Sequence, residues 1–73
     1  MIKEFECHWE HPRYFSVIKI KNMVALFKNL GIQLLKVSEE KEKRRTQVTF
    51  SLAGTEMQEK ELNYYMEKIK ALS

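Results

Sequence analysis

Hydrophobic and polar positions alternate most regularly over Thr46–Ala53, TQVTFSLA. Val48, Phe50 and Leu52 fall on one side, and Gln47, Thr49 and Ser51 on the other. A period of two with one apolar side predicts a strand between a core and water. Residues 2–9, IKEFECHW, alternate too. Phe5, Cys7 and Trp9 share a side and Glu4, Glu6 and His8 the other, which predicts a first strand. Glu10-His11-Pro12 is expected to end it. Pro12 has no N–H for a ladder, and its fixed φ suits a turn or a first helical turn.

The period then lengthens. Ile20, Met23, Phe27 and Leu30 form one stripe of a helical wheel, widened by Val17, Val24 and Leu26. The stripe leaves the helix start open between Pro12 and Val17. Ser16 would sit in mid-stripe, and it suits an N-cap better, where its hydroxyl satisfies an orphan N–H. A helix over 17–30 with 12–16 as a lead-in turn is therefore favoured. Phe15–Ile20 also alternates and could be extended, but the long stripe downstream argues for helix. Gly31 stands where a left-handed cap residue is wanted.

Ile32–Val37, IQLLKV, is short, apolar and branched, and predicts the second strand. Ser38–Arg45, SEEKEKRR, has no Gly or Asn-Gly for a tight primed turn, so a longer, mobile hairpin loop is expected before the third strand. Thr55-Glu56-Met57-Gln58 matches a capping box that opens a second helix. Leu62, Tyr65, Met66, Ile69 and Leu72 give that helix one apolar stripe. Glu56 and Lys60 are an i,i+4 pair in the favourable order, and Lys68 and Lys70 suit the negative end of the dipole.

The element order is β-α-β-β-α. A strand-helix-strand crossover is right-handed. Burying both helix stripes on one sheet face puts the third strand between the first and second. The expected fold is α+β, a small two-layer domain on the ferredoxin-like (split βαβ) plan lacking its last strand. In the full plan a fourth strand covers the first. With the chain ending at Ser73 the first strand is expected to be an open edge, and open edges invite pairing with another chain. Lys3, Glu4 and Glu6 are the charges available to keep it soluble.

Composition narrows the class. The chain has 73 residues, 44% hydrophobic and 32% charged, with two Gly and one Pro, as in a single globular domain over 1–73. A domain this small buries about 60% of its unfolded surface, so its core is thin. It has no internal repeat or dividing linker, and no apolar run long enough for a transmembrane helix. The acidic start does not resemble a signal peptide. Cys7 is the one cysteine, which excludes an internal disulfide and points to a reducing cytoplasm.

Three groups of residues are candidates for chemistry or binding. Cys7-His8-Trp9-Glu10-His11 contains zinc-capable side chains, but neighbours on a strand point to opposite faces, and no further Cys or His exists. A core-facing Cys7 has a raised thiol pKa, against a nucleophilic role. Gly31 and Gly54 are isolated capping residues rather than a phosphate loop. The domain has little room for a ligand pocket. No catalytic residue, metal or cofactor is expected.

The second group is basic. Net charge is +3. Arg13, Lys19, Lys21 and Lys28 lie in an acid-free stretch, with Lys21 and Lys28 on one helix flank beside Asn22 and Asn29. Lys41, Lys43, Arg44 and Arg45 lie at the hairpin tip. Together these could grip phosphates, with Tyr14 or Trp9 stacking on a base. Glu39, Glu40 and Glu42 bring the tip to a net +1, which is ordinary for a solvated loop. The third group is apolar: Met57 and Tyr64 fall outside the stripe of the second helix, and Ile18 outside that of the first. Clustered, such residues mark a partner surface.

Met23–Leu72, with its helix ending in Leu30-Gly31-Ile32 followed by a strand pair and a helix, is similar in outline to the ACT domains that sense small molecules. It is also similar to other ferredoxin-like modules that oligomerise in membrane assemblies. The ACT loop glycine after the first strand has no counterpart here.

The leading expectation is a non-enzymatic interaction domain. It would present the first strand and a helix flank to a protein partner, a second copy included, with Phe5 and Trp9 as anchors and Tyr64 and Met57 on the flank. The alternative is a small nucleic-acid-binding protein using Lys21, Lys28, Lys43, Arg44 and Arg45. Membrane insertion is not expected.

Overall fold

The structure, a computed structural model, describes the backbone of residues 1–12 and 16–71, and the side chains of 1–10 and 20–70. The elements are β1 (Ile2–Pro12), α1 (Ser16–Asn29), β2 (Gln33–Lys41), β3 (Arg45–Thr55) and α2 (Glu56–Ala71). The sheet runs β1-β3-β2, and both pairings are antiparallel. The TQVTFSLA strand is thus central, as its alternation implied.

Register fixes which residues share a face. Phe5, Cys7 and Trp9 stand opposite Leu52, Phe50 and Val48. These residues join Met23 and Phe27 of α1, Ile32, and Leu62 and Met66 of α2 in one core. Both helices therefore bury their apolar stripes on one face of the sheet, the α+β layering. Phe27 meets Phe50 edge-on, with ring centroids 4.9 Å apart. The other face carries Glu4, Glu6, His8 and Glu10 beside Gln47, Thr49 and Ser51, with Lys36, Ser38 and Glu40 beyond.

The helix ends are closed by the residues the sequence offers. Gly31, at φ +77°, ends α1. The Ile32 N–H donates to Phe27 C=O at 2.9 Å and the Gly31 N–H to Lys28 C=O at 3.1 Å, a Schellman motif. Its apolar pair, Phe27 and Ile32, is buried in the core. At the start of α2 the Gln58 N–H donates to Thr55 Oγ1 at 3.2 Å, and the Thr55 N–H to Gln58 Oε1 at 2.8 Å. This is the expected capping box. Gln58 does more: its Nε2 donates to Leu30 C=O at 3.2 Å and Gly31 C=O at 3.3 Å, tying the end of α1 to the start of α2.

Six boundary or face expectations are corrected. β1 does not stop at Trp9 but runs on through Pro12, opposite Arg45. The helix begins at Ser16, so neither a start at Pro12 nor an extended Phe15–Ile20 survives from there on; residues 13–15 lie outside the described ones. β2 extends to Lys41 and β3 runs from Arg45 to Thr55. The long mobile hairpin is instead a tight one: the Glu42 N–H donates to Arg45 C=O at 2.9 Å around Lys43-Arg44. Among the described residues none but Gly31 has positive φ, so the turn closes without the primed geometry. Finally, Tyr65 is 42% exposed. It sits at the margin of the Leu62-Met66 stripe and meets Tyr64 edge-on, with ring centroids 5.7 Å apart.

Candidate interaction edge

The described residues pair β1 on one side only, with β3, along all 11 of its residues and without a register shift. Its free side can be assigned group by group. The Glu42–Arg45 hydrogen bond makes these two a bonded pair, and bonded pairs recur every second residue of an antiparallel ladder. Arg45, Gln47, Thr49 and Ser51 therefore turn their main-chain groups to β2. Thr46, Val48, Phe50, Leu52 and Gly54 turn theirs to β1, where they meet His11, Trp9, Cys7, Phe5 and Lys3. The main-chain groups of Ile2, Glu4, Glu6, His8 and Glu10 are left pointing outward. Pro12 belongs to this second set, which explains its place in a strand: its missing N–H falls on the open side.

β2 is the other edge, and it is disguised. A bulge interrupts its register at Leu35, between Leu34 and Lys36, and Lys36, Glu39, Glu40 and Lys41 are exposed along it. Bulges and charges are how edges are blunted. β1 has no bulge.

Side chains around β1 are mostly engaged. The Arg45 guanidinium pairs with Glu10 at 2.5 Å. His8 Nδ1 lies 3.2 Å from Thr49 Oγ1, and its Nε2 is 4.0 Å from Glu6. Lys3 reaches across the helix-covered face to Glu59 at 2.6 Å. That hydrogen bond raises the Lys3 ammonium pKa above its ordinary value. Lys3 thus binds α2 to the sheet, while Glu4 and Glu6 lie on the open face. A groove of about 480 Å³ runs beside this end of the strand, lined by His8, Trp9, Glu10, Gln47, Thr49 and Lys70. It is larger than the small domain led one to expect.

Of the expected anchors, Trp9 is 7% exposed and Phe5 half-buried, both packed on the core. Burial also pushes the Cys7 thiol up to about 11, only partly opposed by the nearby Lys70 charge. The helix flank is exposed: Met57 and Tyr64 face water, and Lys68 Nζ lies 4.5 Å from the Tyr64 ring centroid. Lys21, Lys28, Lys43 and Arg44 are exposed, whereas Arg45 is held by Glu10. The side chains of His11, Arg13, Tyr14, Ile18 and Lys19 lie outside the described ones.

Two buried polar atoms escaped the sequence reading. Trp9 Nε1 and Thr46 Oγ1 have no hydrogen-bond partner among the described residues. Thr46 shares the parity of Val48 and Phe50, so its inward position could have been read from the alternation. Among the described residues no three potential metal ligands gather, and no helix is long and apolar enough to cross a membrane. No known protein family, curated protein or solved structure matches this chain.

Proposed function

We propose that the chain is a non-enzymatic interaction domain that extends its sheet by adding a partner strand to β1. Its fold is read as the ferredoxin-like plan without its last strand, the position a partner strand would fill. The observation that carries this is the contrast between the two edges: each carries four charged side chains, but β2 is broken by a bulge while β1 runs 11 residues in continuous register. Strand addition draws its affinity from main-chain hydrogen bonds and its register from side chains on either face. The buried thiol of Cys7 accords with a reducing, cytoplasmic setting.

The alternative, nucleic-acid binding through the exposed Lys21, Lys28, Lys43, Arg44 and Arg45, has no specific observation that favours it over the edge. Arg45 is engaged by Glu10, and Lys43 and Arg44 stand beside Glu42 on the hairpin.

The test uses the side of the strand that faces out. Glu6→Pro removes an outward N–H and no bond to β3, so the domain should keep its circular dichroism while losing whatever it binds through β1. Binding is read both as retained proteins on an affinity column and as self-association by sedimentation. Equal retention and equal size for wild type and variant would remove the reading.

A further inference from the structure

We propose that the strand added to β1 is β1 of a second copy, paired antiparallel about a two-fold axis at Cys7. This rests on the reading of β1 as an interaction edge and names its occupant. A two-fold that pairs identical strands antiparallel stands perpendicular to the sheet. Facing residues then lie on the same face, so the axis passes through a residue, and few registers exist.

Side-chain charge chooses among them. An axis at Glu4, Glu6 or Glu10 sets a carboxylate against its own copy. At His8 it leaves Ile2 and Lys3 without a partner, and at Phe5 it sets Glu4 against Glu6, away from the Arg45 guanidinium. At Trp9 it leaves Ile2–Phe5 without a partner. Only Cys7, the midpoint of Ile2–Pro12, uses the whole strand. There Glu6 faces His8 of the second copy, twice by symmetry, on the open face. Phe5 faces Trp9 of the second copy, also twice, on the helix-covered face, which covers the exposed part of Phe5. Aromatic pairs directly across a ladder are stabilising, and in this register Glu6 faces an imidazole rather than a second carboxylate. Glu4 meets Glu10, but Glu10 brings the Arg45 guanidinium with it.

The main chain agrees with this register. The outward groups belong to Glu4, Glu6, His8 and Glu10. With the axis at Cys7, Glu6 faces His8 and Glu4 faces Glu10 as hydrogen-bonded pairs. Cys7 faces its own copy as a non-bonded pair, with Cα atoms about 4.5 Å apart. The result is one continuous sheet, β2-β3-β1-β1-β3-β2, with all four helices on one face.

Two measurements test it. Glu6→Cys and His8→Cys, each in a Cys7→Ala background, are oxidised separately and mixed. The proposal expects a disulfide-linked dimer severalfold more abundant in the mixture than in either alone, because residue 6 faces residue 8 and not itself. Cross-linking as strong within the single variants, or none in the mixture, overturns the register. Sedimentation of the unmodified chain from low to high micromolar concentration is the second. It should show a dimer that His8→Glu weakens about tenfold by setting acid against acid twice, and that Glu6→Lys with His8→Glu restores. A wild-type monomer throughout overturns self-pairing. If a captured protein is then still lost with Glu6→Pro, the edge reading stands and only the second copy falls.

Discussion

Thr46 shows how a single polar residue can sit badly inside an otherwise consistent strand. It is fully buried, and its hydroxyl has no partner among the described residues. An unmade hydrogen bond in a core costs about 1–3 kcal/mol in desolvation, while a methyl of similar size costs nothing of that kind. Thr46→Val should therefore stabilise the domain by about 1 kcal/mol, read as a higher urea midpoint at unchanged slope. An unchanged or lower midpoint would mean that the hydroxyl is satisfied. Cys7 titrates in the opposite sense to most stabilising groups. Its thiol is held up to about 11 against an ordinary 9.0 by burial. The unfolded chain therefore gives up this proton first, and stability present below pH 9 is lost as pH rises toward 11. The melting temperature should fall more steeply between these pH values in the wild type than in Cys7→Ala. At neutral pH the native thiol should react with iodoacetamide far more slowly than the unfolded one. Both residues were legible in outline, because parity alone put them inward. That Thr46 has no partner among the described residues was not, since it depends on what lies across the fold.

At the scale of elements, Gln58 carries more than its motif announced. A capping box joins a helix to the loop before it. Here the same side chain also holds the carbonyls of Leu30 and Gly31 at the end of α1. Gln58→Ala should cost about 1–2 kcal/mol, more than Thr55→Ala at about 1 kcal/mol, because only the first also releases α1. Gly54→Ala should behave like a partial Gln58 loss, since a Cβ there would lie 2.7 Å from Gln58 Oε1. Unfolding midpoints of the three variants give the order. The motif was visible in four consecutive residues; the link to α1 spans 28 positions and needs the tertiary fold. The strand ends show the same limit. Pro12 reads locally as a breaker, yet an edge strand has a side on which a missing N–H does no harm. SEEKEKRR reads locally as a loop, yet pairing with β3 carries it into the ladder as far as Lys41. The alternation in amide orientation along β1 is itself testable by hydrogen exchange. In dilute protein Phe5, Cys7 and Trp9 should be protected while Glu4, Glu6 and His8 exchange freely, and the second set should gain protection as concentration rises.

At the scale of the whole molecule, a thin core meets a sheet longer than its helices can cover. The domain measures 40 × 25 × 15 Å, and on the helix-facing side of β2 Val37, Glu39 and Lys41 remain exposed. A domain of this size buries a modest share of its unfolded surface and has a small margin of stability. Pairing two copies along β1 would add main-chain bonds and aromatic contacts that the single chain lacks. Anything that binds the folded state alone raises its apparent stability by mass action. The melting temperature of the wild type should then climb with protein concentration. That of Glu6→Pro should not, although the two converge at high dilution. A melting temperature independent of concentration for both would mean that each chain folds with β1 unpaired, and that the sheet ends where its own three strands do.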